Sequence, residues 1–330
     1  MNNPKLSVIF ITYNHEKYVR KALDSVLNQV TNFDFEIVIG EDCSTDKTGE
    51  IVREYAAKYP DKIVFVPREK NSKRPTLNVY ETTMRARGEY LAYLEGDDFY
   101  TDMNKLQKQV DFLEEHKEYI ACTHTFTLID DNDDEITDLE TRKVADLYIW
   151  SGKFTFNDYK TSGKWPGHYA TVVSRNIYKE NKHDYTILYR AHDFVDDGVI
   201  LLFLLMQGDI YRMDDVMTVW RYVKKAGGNS WSSRAMKRNI IREDCYLTQT
   251  LMKWLESETG LTDFAEKKAK HDFETSLTIF ASNPNKENFK FVRDMFEYNV
   301  KHVIRKDKKT YFIPYIVESV CKRFLGKKKE

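Results

Sequence analysis

The chain has 330 residues, a formal net charge of −1, and 42% apolar and 14% aromatic residues. That composition excludes a disordered chain, and the length calls for one large domain with an appendage or for two domains. Near-neutral charge excludes a global field that recruits nucleic acid or membrane.

Cys43, Cys122, Cys245 and Cys321 lie far apart without a C-x-x-C pair, which excludes that zinc pattern and a disulfide framework. Met1-Asn2-Asn3-Pro4-Lys5 leads into a strand without a signal-peptide apolar region. The longest apolar run, Val199 to Met206, falls short of the ~20 residues of a membrane span. A cytosolic protein with free thiols is therefore expected.

The chain then reads as alternating strands and helices. Leu6-Ser7-Val8-Ile9-Phe10-Ile11 is a buried strand, and Tyr18, Val19, Ala22, Leu23, Val26 and Leu27 recur at helical spacing. Phe35 to Ile39 is a second strand. Ser44-Thr45-Asp46 offers capping side chains to a helix whose apolar face is Ile51, Val52, Tyr55, Ala56 and Tyr59. Lys62 to Val66 is a third strand, Thr76 to Arg87 a helix, and Tyr90 to Leu94 a fourth strand. Short connections between such elements predict a parallel sheet covered on both faces, with ligands outside the carboxyl ends of its strands. Three polar clusters fall at those ends: Thr12-Tyr13-Asn14, Glu41-Asp42-Cys43-Ser44 and Glu95-Gly96-Asp97-Asp98. Crowded carboxylates repel one another, and a hard divalent cation relieves that repulsion.

Beyond residue 125 the pattern is less regular. Asp130 to Glu135 reads as a solvated turn, and Trp165-Pro166-Gly167-His168 as a rigid loop. Val199 to Met206 is a buried helix and Val216 to Trp220 a strand. From about residue 232 the pattern is helical and charged. The division expected is a domain over 1–231, with halves 1–125 and 126–231, and a helical region over 232–330.

The opening Ser7 to Glu16, Leu23 to Gln29, Glu41 to Thr48 and Arg87 to Asp98 resemble, in order and spacing, the nucleotide-sugar-binding half of family 2 glycosyltransferases. The resemblance implies the GT-A fold: α/β, a Rossmann-like, mostly parallel sheet flanked by helices, here with a helical C-terminal extension. It further implies an inverting, metal-dependent transfer of sugar from a nucleoside diphosphate, expected to be UDP, to a glycan or lipid-linked glycan in surface polysaccharide synthesis. Thr12, Tyr13, Asn14, Glu16, Asp42, Asn78 and Glu95 would line the nucleotide, with Tyr13 against the base and Asp42 accepting from it; Arg74 is a weaker candidate. Asp97 or Asp98 would bind Mn²⁺ or Mg²⁺, and another carboxylate would reach the ribose. The register places the base at Asp197, with Asp196 beside it and Asp193 as the alternative; the competing reading makes Asp196 and Asp197 helix caps. Relatives often carry a His after the segment matched by Trp220-Arg221; this chain has none there. Arg221, Lys224, Lys225 and His168 are then the candidates for the diphosphate or acceptor.

Two other classes stay open. A sugar nucleotidyltransferase would carry a glycine-rich basic loop after the first strand, where Thr12-Tyr13-Asn14-His15-Glu16 stands. A non-catalytic carbohydrate-binding or scaffold protein of the same descent would bind no nucleotide. The aromatic and basic end, Tyr311 to Lys329, reads either as a last core helix or as a peripheral contact with an anionic membrane. A homo-oligomer is also open.

Overall fold

The computed structural model describes residues 3–162, 164–180, 182–193, 197–223, 240–260 and 263–299. The chain divides into two compact units, Met1–Lys237 and Arg238–Glu330. The boundary expected after residue 231, Lys224, Lys225, Asp196 and the basic end all lie outside the described residues.

In the first unit, β1 (Leu6–Thr12), β2 (Phe35–Glu41), β3 (Ile63–Pro67) and β4 (Tyr90–Glu95) form a parallel array in the order β3-β2-β1-β4. Every residue of β1 and β2 is buried, as a strand covered on both faces requires. Helices α1 (Val19–Leu27), α2 (Thr48–Lys58) and α3 (Pro75–Thr83) connect them. The apolar spacing of α1 is realised in its buried Val19, Ala22, Leu23 and Val26. The start of α2 is held by Asp46, whose Oδ1 accepts the Thr48 N–H at 2.9 Å. Close approach decides Gly40: a Cβ there would lie 2.1 Å from Thr82 Oγ1 of α3.

The sheet continues where the sequence reading was least regular. After β5 (Phe99–Tyr100) and α4 (Lys105–Glu115) comes β6 (Tyr119–Ile129), an eleven-residue strand. Short helical pieces α5 (Leu139–Arg142) and α6 (Phe156–Ser162) flank β7 (Gly152–Phe154), and β8 (Val173–Arg175) precedes α7 (Ile187–Arg190). The buried helix α8 (Asp197–Gln207) leads into β9 (Asp209–Arg221), longer than the expected Val216 to Trp220. The nine-stranded sheet runs β3-β2-β1-β4-β8-β6-β9-β5, with β7 on β9. β8 pairs antiparallel with β4 and β6, and β5 and β7 pair antiparallel with β9. The sheet is therefore parallel in its first half and mixed in its second.

β6 escaped notice because its centre is polar. Thr123 and His124 are fully buried, which is tolerable only with partners: Thr123 Oγ1 donates to Pro166 O at 2.6 Å, and the His124 ring meets Thr125 O and Thr218 Oγ1. The Thr123 bond also pins the Trp165–His168 loop.

Lys105, at the start of α4, is fully buried, with Nζ 4.1 Å from the Tyr100 ring centroid and no hydrogen-bond partner among the described residues. Burial lowers its pKa to about 7. The unfolded chain then holds more protons than the folded one from about pH 7 up to the ordinary lysine range, so this residue makes stability rise with pH across that window. The slope is at most about 1.4 kcal/mol per pH unit. Urea unfolding of wild type and Lys105→Met at pH 7 and pH 9 is expected to show the variant stabilised at pH 7 and the gain smaller at pH 9.

The second unit contains α9 (Ile240–Thr259), α10 (Asp263–Ser282) and α11 (Lys286–Asn299), as the helical reading expects. Cys245, Phe273, Phe291 and Met295 form its small core. Cys43, Cys122 and Cys245 are free thiols. No described helix is long and apolar enough to cross a membrane.

Candidate active site

Strand register gathers the three polar clusters. Thr12 pairs with Glu41, and Ile11 with Glu95, so the carboxyl ends of β1, β2 and β4 lie side by side. The loop after β4 folds back tightly: Gly96 donates to Ile11 O at 2.9 Å and Asp98 to Glu95 O at 3.1 Å. A Cβ on Gly96 would sit 2.4 Å from Thr12 Oγ1, so only glycine fits against β1.

Asp98 is 2% exposed, and its Oδ1 accepts the Arg221 N–H at 2.7 Å. Its Oδ2 is buried with no hydrogen-bond partner among the described residues. Burial, followed by the charge of Asp97, raises its pKa well above the usual carboxylate range. Asp97 is more open, with its Oδ2 3.8 Å from His15 Nε2. Glu95 is half-buried beside them. An unpartnered buried carboxylate oxygen next to a second carboxylate fits a hard cation. Among the described residues no three His, Cys, Asp or Glu side chains form a complete metal cage. Such a pair suits Mg²⁺ or Mn²⁺ completed by phosphate oxygens and water.

Arg221 is placed differently from expectation. Its side chain is 1% exposed and lies over the Tyr18 ring, 4.4 Å from the centroid. Nε donates to Asp97 O at 2.9 Å and one terminal nitrogen to Asp130 O at 2.6 Å; the other pairs with Asp133. Arg221 therefore clamps the acidic loop to the 130–134 turn and is not a cation open to a diphosphate. The 130–135 turn is exposed from Asn132 to Glu135, as the solvated-turn reading expects, and these contacts also anchor it. Asp131 also accepts from Tyr18 and pairs with Lys17, and Asp133 pairs with Lys21 at 2.7 Å. The turn is strapped to α1.

On the nucleotide edge, Thr12 is buried with Oγ1 3.3 Å from His15 Nδ1, and Tyr13 is half-buried after it. Asn14 and Cys43 both take φ of 56°, a left-handed conformation away from glycine that marks a constrained rim. The Asn14 side chain accepts the Thr45 N–H at 2.8 Å, and Glu16 accepts the Lys47 N–H at 2.9 Å, so both are committed to the start of α2. The Asp42 carboxylate is met by Ser72 N, Ser72 Oγ, Asn71 Nδ2 and Arg68 Nε at 2.7–3.3 Å. A loop over residues 68–72 thus covers it. Asn78 does not reach the rim: it is buried, and its Nδ2 donates to Gly40 O at 2.8 Å, bracing β2 against α3. Arg74 and Asp193, the alternative base, are bonded to each other at 2.7 Å, and Arg74 also holds Tyr189 O.

Asp197 opens α8 and is half-buried. Its charge acts to raise the pKa of Asp98, His168 and Tyr148, so it lies within electrostatic reach of the acidic loop despite being 99 positions from Asp98 in the chain. Gly198 packs on Trp165, where a Cβ would sit 3.2 Å from the ring. His168 is a buried wall residue and not a solvent-facing loop side chain. Its ring stacks on Trp220 at 4.4 Å and its Nδ1 accepts the Ala170 N–H at 3.4 Å. Burial lowers its pKa, opposed by the charges of Asp197 and Asp97. Phe126, Tyr148 and Tyr222 ring the same indole at 5.6–5.8 Å. His15 lay within the opening segment, but nothing in the sequence paired it with Asp97.

Comparison with known proteins fits this geometry. Residues 7–180 match the model of the family described as glycosyl transferase family 2. Rv1520 of Mycobacterium tuberculosis, an uncharacterized protein, is 44% identical over 124 residues, 38% of this chain and 36% of that one. The putative glycosyltransferase EpsE of Bacillus subtilis is 36% identical over 118 residues, 36% of this chain and 41% of that one. The match thus spans well under half the length of these curated relatives. Among solved structures, S. aureus TarS 1–349 in complex with UDP-GlcNAc superposes with a TM-score of 0.65 at 19% identity, covering 97% of this chain and 89% of that one. That likeness shows the GT-A fold, and with more than half of the chain matched by the family model, the chain belongs to glycosyl transferase family 2.

Proposed function

We propose that the protein is an inverting, metal-dependent glycosyltransferase that moves a sugar from a nucleoside diphosphate, UDP first among the candidates, to a hydroxyl of a surface polysaccharide or its lipid-linked precursor. The observation that carries this reading is the Asp97–Asp98 pair beside the ends of β1 and β2, with Asp197 within electrostatic reach of Asp98. UDP comes first because TarS, a poly(ribitol-phosphate) β-N-acetylglucosaminyltransferase similar to this chain, was solved with UDP and with UDP-GlcNAc. The putative teichuronic acid biosynthesis glycosyltransferase TuaG, 36% identical over 124 residues, supports a polymer acceptor.

In this reading Tyr13 lies against the base, and a base that reaches Asp42 replaces one of the donors supplied by the 68–72 loop. Asp97 and Asp98 hold the cation, which supplies positive charge to the leaving diphosphate. Asp197 accepts the proton of the acceptor hydroxyl as its oxygen bonds to the anomeric carbon. The bond from that carbon to the diphosphate oxygen breaks on the opposite face, which inverts the configuration. His168 and Trp220 form a rigid wall behind Asp197, and Arg221 keeps the acidic loop in place.

Calorimetric titration with UDP, GDP, CDP and dTDP, each with Mn²⁺ and with EDTA, tests the donor site. The expected result is Mn²⁺-dependent binding of UDP. Absence of binding to all four would overturn the reading in favour of a non-catalytic protein of the same fold.

A further inference from the structure

We propose that His15 is a positioning residue for Asp97, setting the carboxylate that holds the donor's cation. The inference rests on the reading of the Asp97–Asp98 loop as the donor site.

The imidazole is fixed on several sides. The His15 N–H donates to Thr48 Oγ1 at 2.8 Å, which ties the residue to α2. Its carbonyl accepts from Tyr18 and Val19 N–H at 2.9 and 2.8 Å, which ties it to α1. The ring lies against the acidic loop itself, since a Cβ on Gly96 would meet His15 Nδ1 at 3.0 Å. Thr12 Oγ1 sits 3.3 Å from Nδ1, and Asp97 Oδ2 3.8 Å from Nε2.

These contacts settle the proton. A carboxylate only accepts, so the nitrogen facing Asp97 carries the hydrogen; in the neutral ring Nδ1 then accepts the Thr12 hydroxyl. At 3.8 Å the Nε2–H faces the carboxylate at longer than hydrogen-bond distance, and it biases the Asp97 rotamer toward one oxygen. The other oxygen is left for a cation shared with Asp98 Oδ2, the buried atom that has no partner among the described residues. Partners of this kind, hydrogen-bonded behind a ligating carboxylate, commonly govern metal affinity. Asp98 is already fixed by the Arg221 N–H, and His15 supplies the corresponding restraint on the more exposed Asp97.

The test is Mn²⁺ binding at saturating UDP, followed by the electron paramagnetic resonance of free Mn²⁺, with thermal unfolding as the fold control. His15→Ala is expected to lose about 10–100-fold in Mn²⁺ affinity at an unchanged Tm. His15→Gln, which keeps an N–H donor at the same reach, is expected to restore most of it. If His15→Ala does not fold, His15→Leu, which fills the space without a donor, is read in its place. Wild-type affinity in the donor-less variant, or equal loss in His15→Gln, would overturn the proposal. No Mn²⁺ uptake by the wild type would instead remove the donor-site reading on which it stands.

Discussion

Asp197→Asn is expected to lower kcat for sugar transfer by about 10²–10⁴-fold, the usual contribution of a general base, while UDP-sugar affinity stays near that of the wild type. Asparagine is the informative substitution because it holds a helix start as well as aspartate does. Were Asp197 only a cap at the beginning of α8, the variant would keep its activity and lose at most the small dipole term, about 0.3–1 kcal/mol. Single-turnover transfer from a labelled donor, set beside calorimetric donor binding, separates the two roles. A wild-type transfer rate in Asp197→Asn would end the base assignment, and Asp193, already bonded to Arg74, would not replace it without breaking that pair.

The second large effect is expected at Asp98. Asp98→Asn keeps the shape of the side chain and an oxygen for the Arg221 N–H, and places an amide where Oδ2 has no partner among the described residues. The loop therefore stays folded, whereas alanine would leave that N–H unpaired. What the variant removes is one of two carboxylates proposed to hold the cation. Mn²⁺-dependent UDP affinity is expected to fall by at least about 10–100-fold, with binding in EDTA unchanged. Equal Mn²⁺-dependent affinity in variant and wild type would show that Asp98 is a structural acid and that the cation, if used, sits elsewhere.

Both variants bear on residues that were legible in the chain, and the reason is physical. The strands β1, β2 and β4 are continuous apolar runs ended by polar residues, and a parallel strand covered on both faces leaves that mark locally. Once the alternation of strands and helices implies a parallel array, the carboxyl ends must share a rim. The three polar clusters there needed no further information. Asp197 was singled out as a base by the register of the family resemblance, and the structure places it at the start of the apolar helix α8.

Other residues were misread where sequence carries type but not company. Arg221 looked like a diphosphate cation, and burial against Tyr18, Asp97, Asp130 and Asp133 makes it a clamp. The 130–135 stretch is solvated as its dense charge indicates, but the sequence did not show that Lys17, Lys21 and Arg221 pair with it across more than eighty positions. Asn78 sits on the strand-facing side of α3, where Gly40 takes its amide. His168 is drawn into an aromatic wall by Trp220.

What the sequence determined alone was the parallel nucleotide half, its polar rim and the family, because each rests on short-range pattern and order. What only the tertiary structure decided was the second half of the sheet and the pairing of distant charges. β6 hides polar side chains whose partners, Pro166 and Thr218, lie far along the chain. The positions of Asp97 and Asp98 at the rim, and of His15 against Asp97, follow from how β4 pairs with β1 and how the loop after β4 folds onto β1. Long-range register of this kind is set by packing, and no local run of residues encodes it.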